Sequence, residues 1–247
     1  MSKPDLAMFD VEPAKTLPFY LVFDVSYSMT HVMGAVNSCL SDLKDAISAM
    51  PLLADIARVS VISFSDEARI EFPMGDISEN ERIKPGHSVL KASGGTSFSA
   101  AFRTLKSAIE RDITDLKLSG ERTVYRPTAF LITDGVPLDK SQWKEAFSEL
   151  TSIKQYPLVY PFGFGDANEK ILDAITYPRD RANGKRPAQY FTVKAGATPG
   201  AAIEKIAKVV IQSVVSFTQS ATEDRPMVRI DTTGTEDVVE THFLDEM

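Results

Sequence analysis

An α/β domain with a doubly wound, mostly parallel central sheet is the fold the sequence predicts, and three observations carry it. Apolar runs of strand character alternate with amphipathic helical stretches through most of the 247 residues. Two runs, Phe19-Tyr-Leu-Val-Phe-Asp-Val25 and Thr128-Ala-Phe-Leu-Ile-Thr133, are apolar at nearly every position, as strands covered by helices on both faces must be. A further pair, Arg58 to Phe64 and Ala68 to Phe72, is joined only by Ser65-Asp66-Glu67, too short for a parallel crossover, so one antiparallel edge strand is expected.

The elements follow in order. After the first strand, Val32, Val36, Leu40, Leu43, Ile47 and Met50 recur at helical spacing, and Pro51 marks the stop. The hairpin comes next, with Arg69 and Glu71 alternating against Ile70 and Phe72, the charges discouraging pairing with other chains. A polar loop from Ser78 to Ser93 leads to a second amphipathic helix carrying Phe98, Phe102, Leu105, Ile109 and Leu116. The strand at Thr128–Thr133 precedes a helix with Trp143, Ala146, Phe147 and Leu150, whose aromatic pair reads as core packing. Then come a strand from Leu158 to Phe164, a short helix from Glu169 to Ile175 and a strand from Gln189 to Val193. Thr198-Pro199 supplies an N-cap and a first-turn proline for a last helix with Ile203, Ile206, Val210 and Phe217.

Residues 17–218 therefore form the domain, 1–16 an N-terminal extension and 219–247 an acidic C-terminal tail. The tail carries eight acids against Arg225 and Arg229 and reads as unstructured. Its apolar residues Val228, Ile230, Val238, Val239 and Phe243 keep open the rival reading of an added hairpin or docking segment.

Composition excludes several function classes. A net charge of −7 and a pI near 5.1 provide no concentrated basic face for nucleic acid. The first ten residues contain Asp and Pro where a secretory leader needs an apolar stretch, and the first apolar run is far too short to cross a bilayer. A soluble, cytoplasmic protein is expected. The single cysteine, Cys39, excludes an intrachain disulfide and falls beside the apolar stripe of the first helix, where a buried, inert thiol is expected.

Three separated segments carry the chemistry: Asp24-Val25-Ser26-Tyr27-Ser28, Gly94-Gly95-Thr96-Ser97 and Thr133-Asp134-Gly135. Asp24 and Asp134 end strands, and parallel sheets gather ligands at strand tips where the strand order reverses. Thr96 arrives from the loop opening the second helix, and the glycines before it permit the turn that brings its hydroxyl inward. Every donor in Asp24, Ser26, Ser28, Thr96 and Asp134 is oxygen, which points to a hard cation, Mg²⁺ first, with Mn²⁺ or Ca²⁺ as alternatives. If the three hydroxyls are the direct ligands while the two carboxylates hold water or ligand hydroxyls, the ion keeps few anionic partners. It then attracts an Asp or Glu from a partner protein, which describes a receptor rather than a catalyst.

Asp24-x-Ser26-x-Ser28, Thr96 and Asp134 resemble, in order and spacing, the metal-ion-dependent adhesion site (MIDAS) of von Willebrand factor A domains, over roughly residues 17–218. The resemblance implies a Rossmann-like, A-type α/β fold and a metal-dependent protein-interaction role. Within that superfamily, Leu17-Pro-Phe-Tyr-Leu21, Ala92-Ser-Gly-Gly-Thr-Ser97 and Tyr125 to Gly135 look like the small bacterial proteins of tellurium-resistance operons. That likeness implies a stress-response or phage-defence setting beside protein kinases and phosphatases. One departure is Tyr27, where the family usually has glycine; it either crowds the metal-facing surface or points outward as part of a partner-binding rim.

Blander and rival readings stand beside this one. Each segment alone is an ordinary turn or flexible loop; their conjunction is what points to a site. His31, His87 and His242 are too scattered to form a ligand cluster, and no catalytic histidine is assigned. Arg179, Arg181, Lys185 and Arg186 read as a solvated basic loop able to meet an acidic or phosphorylated partner. The alternatives are a Mg²⁺-dependent phosphoryl hydrolase or a scaffold with a vestigial site. An aspartyl phosphatase would want a second acid at position 26, where Ser26 stands, and neither a Gly-x-Ser-x-Gly elbow nor a phosphate loop occurs.

Overall fold

The computed structural model describes residues 14–118, 122–179, 188–194, 196–220 and 230–244. Eight strands form one sheet: β1 (Ala14–Asp24), β2 (Ala57–Phe64), β3 (Ala68–Gly75), β4 (Arg122–Val124), β5 (Thr128–Thr133), β6 (Leu158–Gly163), β7 (Gln189–Val193) and β8 (Val239–Phe243). Their order across the sheet is β3-β2-β1-β5-β6-β7-β8, with β4 pairing the beginning of β1. The five from β2 to β7 along that path run parallel, as the doubly wound reading requires.

Alternating side chains of β1 explain the two layers of helices. Phe19, Leu21 and Phe23 point into a core closed by α1 (Met33–Ser48), α2 (Pro51–Ile56) and α6 (Pro199–Ser220). Tyr20 and Val22 point to the opposite core, closed by α3 (Phe98–Leu118) and α4 (Gln142–Ser152). With both faces covered, β5 is buried at every residue, which is why its sequence is one apolar run rather than an alternation. Trp143 and Phe147 lie in that second core, as expected. Cys39 is buried against α1's own apolar face, and burial pushes its thiol up to about 12. A short helix, α5 (Glu169–Ala174), follows β6 and is capped by Asn168, whose side chain accepts the Lys170 N–H.

Several details differ from the expectations. The first helix does not start at Val32: residues Tyr27–Val32 form a 3₁₀ turn, pinned by buried Met29 and Val32, and α1 begins at Met33. Pro51 both follows α1 and opens α2, because a proline lacks an N–H where the first helical turn has no use for one. β1 starts at Ala14, inside the stretch read as an extension, because Ala14–Thr16 pairs with β4. The Ser78–Ser93 loop is anchored by buried Ile83 and Leu90 and by Asn37 of α1. The Asn37 amide donates to the Met33 and Leu90 carbonyls and accepts the Val89 and Leu90 N–H groups, at 2.7–3.0 Å.

β3 is the antiparallel edge strand that the short Ser65–Glu67 connection predicts. The opposite edge carries a second one, β8, drawn from the acidic segment. Of the two readings kept open for residues 219–247, the docking segment describes residues 230–244. Lys205 of α6 pairs with Asp237, Lys194 donates to the Glu236 carbonyl, and the Ser213 hydroxyl accepts the Asp231 N–H. One acid of the segment is thus paired with a lysine of the domain, and the segment's own Val239 is buried. The remainder of the acidic stretch lies outside the described residues, as do Arg181, Lys185 and Arg186 of the basic loop. Arg179 bonds the Asp173 carbonyl and carboxylate.

Candidate metal centre

β1 and β5 are adjacent central strands, and their connections leave in opposite directions, to β2 on one side and β6 on the other. Asp24 and Asp134 therefore emerge side by side at the crevice where ligands collect in such sheets. Four of the five candidate residues form one hydrogen-bonded chain. The Ser26 N–H donates to Asp24 Oδ1 at 2.8 Å, the Ser26 and Ser28 hydroxyl oxygens are 3.0 Å apart, and the Ser28 hydroxyl donates to Asp134 Oδ1 at 2.7 Å. Since Ser28 spends its only hydroxyl proton on Asp134, Ser26 donates to Ser28. Asp24, Ser26 and Asp134 are buried whereas Ser28 is exposed, so the chain opens to solvent at Ser28.

Thr96 closes the arrangement from the third loop. A side chain added at Gly135 would meet the Thr96 hydroxyl at 3.5 Å, which places that hydroxyl against the turn carrying Asp134. The loop is held at several points. The Ser93 N–H donates to the Val25 carbonyl at 2.7 Å and the Tyr27 N–H to the Gly94 carbonyl at 3.0 Å, tying it to the Asp24–Ser28 segment. The Leu138 N–H donates to the Thr96 carbonyl at 2.8 Å, tying it to the segment after Asp134.

Three supports were not picked out in the sequence. Thr133, quoted in the third segment but given no role there, donates its hydroxyl to Asp24 Oδ2 at 2.6 Å and accepts the Gly135 N–H at 3.2 Å. It thereby locks the two strand tips together. The hairpin turn clamps Thr96 from both sides: Asp66 Oδ1 accepts the Gly95 N–H at 2.9 Å, and the Ser65 carbonyl accepts the Ser97 N–H at 2.7 Å. Gly94 is required there, because its φ of 69° lies in the left-handed region and a side chain would run into the Asp66 carboxylate. Asp139 accepts the Ser99 N–H and the Ser97 hydroxyl at 2.6 and 3.1 Å, capping α3 from another loop. A sequence signal existed only for Gly94, in its glycine pair; the others act across 29 to 109 positions.

The electrostatics fit a cation. Burial pushes the Asp24 carboxyl up to about 6, against the pull of the bonds from Thr133 and Ser26, and the nearby Asp134 carboxylate adds to the rise. Burial likewise raises Asp134 above the ordinary carboxylate range, opposed by the Ser28 bond and by His31. Two buried carboxylates that resist holding charge gain most from a nearby positive ion. Among the described residues no three His, Cys, Asp or Glu side chains cluster as metal ligands.

Residues 19–136 match the family model for the von Willebrand factor type A domain. That span runs from the middle of β1 to just past Asp134 and includes all five candidate residues. Solved structures extend the likeness across most of the chain. The pilus adhesin SpaC from Lactobacillus rhamnosus GG, in its open conformation, superposes with a TM-score of 0.61 at 18% identity, over 82% of this chain and 30% of that one. Proximal thread matrix protein 1 from the mussel byssus superposes at 0.53 and 15% identity, over 83% of this chain and 49% of that one. A form of the mussel protein described as having a zinc occupied MIDAS motif superposes at 0.52 and 14% identity. The chain spans about a third to a half of the length of these proteins, and the likeness is one of fold. No curated protein is similar enough in sequence to be matched.

Proposed function

We propose that this A-type domain is a non-enzymatic, metal-dependent protein-interaction module. It holds Mg²⁺ through Asp24, Ser26, Ser28, Thr96 and Asp134 and recognises an Asp or Glu of a partner protein through that ion. The observation that carries the reading is the continuous chain from Asp24 through Ser26 and Ser28 to Asp134, at a strand-tip crevice that opens at an exposed hydroxyl. Its spacing suits the ion: adjacent oxygens of an octahedral centre with bonds of about 2.0–2.1 Å stand roughly 2.9 Å apart. The Ser26 and Ser28 oxygens are 3.0 Å apart. Mn²⁺ and Ca²⁺ take the same oxygen donors. The zinc occupied motif of the mussel protein supports occupancy by a divalent ion at a site of this kind.

When bound, the ion supplies an electron-poor centre able to accept one external carboxylate. The chain's own groups present it. Asp24 fixes the Ser26 backbone, Thr133 fixes Asp24, and Asp134 orients Ser28. The same bonds argue against the phosphoryl hydrolase alternative. Asp24 is 0% exposed and each of its carboxylate oxygens accepts a bond from the protein, so it is held as a positioning group rather than presented as a nucleophile to an incoming phosphorus. A bacterial, cytoplasmic stress or defence setting beside kinases and phosphatases remains part of the proposal, on the strength of the tellurium-resistance resemblance. No helix among the described residues is long and apolar enough to cross a membrane.

The test is affinity capture by the full chain in Mg²⁺ and in chelator, with Asp24→Ala and Asp134→Ala in parallel. Partners retained in Mg²⁺ and lost in chelator and in both variants are expected. Equal capture under all conditions would overturn the reading, as would Mg²⁺-dependent cleavage of p-nitrophenyl phosphate that Asp24→Asn abolishes.

A further inference from the structure

The mouth of this site is ringed by apolar side chains. Among the described residues the exposed large hydrophobic side chains are few, and Tyr27, Val136 and Leu138 come from the loops that carry the candidate ligands. They are 70%, 39% and 68% exposed. Tyr27 lies between Ser26 and Ser28; Val136 and Leu138 follow Asp134 by two and four positions.

Backbone contacts make the three contiguous. The Tyr27 N–H is held by the Gly94 carbonyl, and a side chain at Gly95 would meet Leu138 Cδ1 at 3.0 Å, so the Leu138 side chain lies over Gly95. The Leu138 N–H is held by Thr96, and Thr96 faces Gly135, the residue before Val136. Tyr27, the Gly94–Thr96 loop, Leu138 and Val136 thus form a rim around one crevice. Exposed apolar side chains gathered at a polar crevice mark an interaction surface, whereas scattered ones need no explanation.

Resting on the metal-dependent reading above, we infer that the occupant is a segment of a partner protein in which an Asp or Glu is flanked by bulky apolar side chains. Charge decides the centre of that ligand, because a divalent ion held largely by hydroxyls is left short of anionic partners. The rim decides its flanks. Tyr27, Val136 and Leu138 offer no charge to a polar neighbour of the acid, and each loses apolar surface to water unless something apolar covers it. The β2–β3 side of the Gly94 loop differs: there a cavity of about 630 Å³ has Val25 and Val89 in its lining, but its charged groups are Asp66, Glu67, Arg69, Glu71 and Lys91. The exposed large apolar side chains beside the crevice are those of the Tyr27–Leu138 side.

The test uses three labelled synthetic peptides with Gly-Gly flanks and cores Leu-Asp-Leu, Ser-Asp-Ser and Leu-Asn-Leu. They are titrated with the full chain in Mg²⁺ and in EDTA by fluorescence anisotropy, beside calorimetry of Mg²⁺ alone. Leu-Asp-Leu is expected to bind about tenfold more tightly than Ser-Asp-Ser, the factor that burial of one apolar side chain contributes. Leu-Asn-Leu is expected to lose that binding, as is EDTA. Leu138→Ser and Tyr27→Ser, both exposed positions, should shrink the preference toward parity while Mg²⁺ binding is kept.

Equal affinity for the two acidic peptides would overturn the rim and leave the metal reading standing. Binding of Leu-Asn-Leu as tight as Leu-Asp-Leu, persisting in EDTA, would instead overturn the metal reading. Bound Mg²⁺ with no peptide captured would overturn the inferred occupant. So would rim-dependent capture by phosphatidylcholine vesicles in place of peptides, which would assign the surface to lipid.

Discussion

Asp112 is a third buried carboxylate, and its neighbours show what the fold does with charge away from the crevice. Lying on α3 and 5% exposed, it accepts the Tyr20 hydroxyl at 3.1 Å and two Arg111 guanidinium bonds at 2.8 and 2.6 Å. Burial nevertheless raises its carboxyl above the ordinary range, outweighing Arg111. A folded state that binds the proton more tightly than the unfolded chain gains stability that is fully present below about pH 3.9 and is lost as pH rises through the raised folded value. Asp112→Asn keeps an acceptor for Tyr20 and removes the titration. In urea titrations across pH 3.5 to 7, the wild type should therefore lose more stability over that window than the variant. Parallel pH profiles for the two proteins would show that Asp112 contributes no such linkage.

At the same scale, Asp66 tests how the crevice is held. Its bond to the Gly95 N–H comes just before Thr96 in the chain, and an amide oxygen can accept the same bond. Calorimetry should find Mg²⁺ affinity lowered severalfold in Asp66→Ala, by about 1 kcal/mol for one lost charge-assisted bond. Asp66→Asn should recover most of it. If Asn behaves as Ala does, the carboxylate's charge rather than its geometry is what matters. The candidate ligands could be singled out in the sequence because Asp24 and Asp134 are polar groups at the ends of apolar runs and Thr96 follows a glycine pair at the start of a helix. Thr133 and Asp66 were not, because a threonine closing a strand and an aspartate in a turn are ordinary in both places; only the folded chain brings them to their partners.

Among the elements, those with a long period or a full apolar run were readable: β5 and β7 have the predicted bounds, and α3 begins at the first residue of its apolar stripe. What escaped was short or stabilised from outside. β4 has three residues and exists by pairing with the start of β1, and β8 is acidic enough in its surroundings to read as solvated. The sequence does not state that Lys205 awaits Asp237 or Lys194 the Glu236 carbonyl. If β8 is a structural edge strand, truncation after Ser220 uncovers β7, whose Phe191 is buried, and leaves its backbone groups unpaired. The truncated chain should melt several degrees lower and self-associate by light scattering. An unchanged melting temperature and a monodisperse truncated protein would show that β8 contributes nothing to the sheet's stability.

For the molecule as a whole, the decisive property is that the proposed ligands come from positions 24, 26, 28, 96 and 134, brought together only by the folded sheet. An unfolded chain offers no such set, so an ion held by them binds the native state alone and stabilises it by mass action. At a free Mg²⁺ concentration one hundred times the dissociation constant the gain is about 2.7 kcal/mol. For a domain of this size that corresponds to a rise in melting temperature of roughly 5–10 °C. The net charge of −7 makes a control necessary, since any added salt screens self-repulsion. Melts in chelator with NaCl at matched ionic strength supply it. Asp134→Ala and Asp24→Asn should show only the salt effect, and the second keeps an acceptor for Thr133, so its fold is preserved. A Mg²⁺-specific rise of equal size in wild type and both variants would mean that the ion binds elsewhere and that the crevice at the tips of β1 and β5 is not its site.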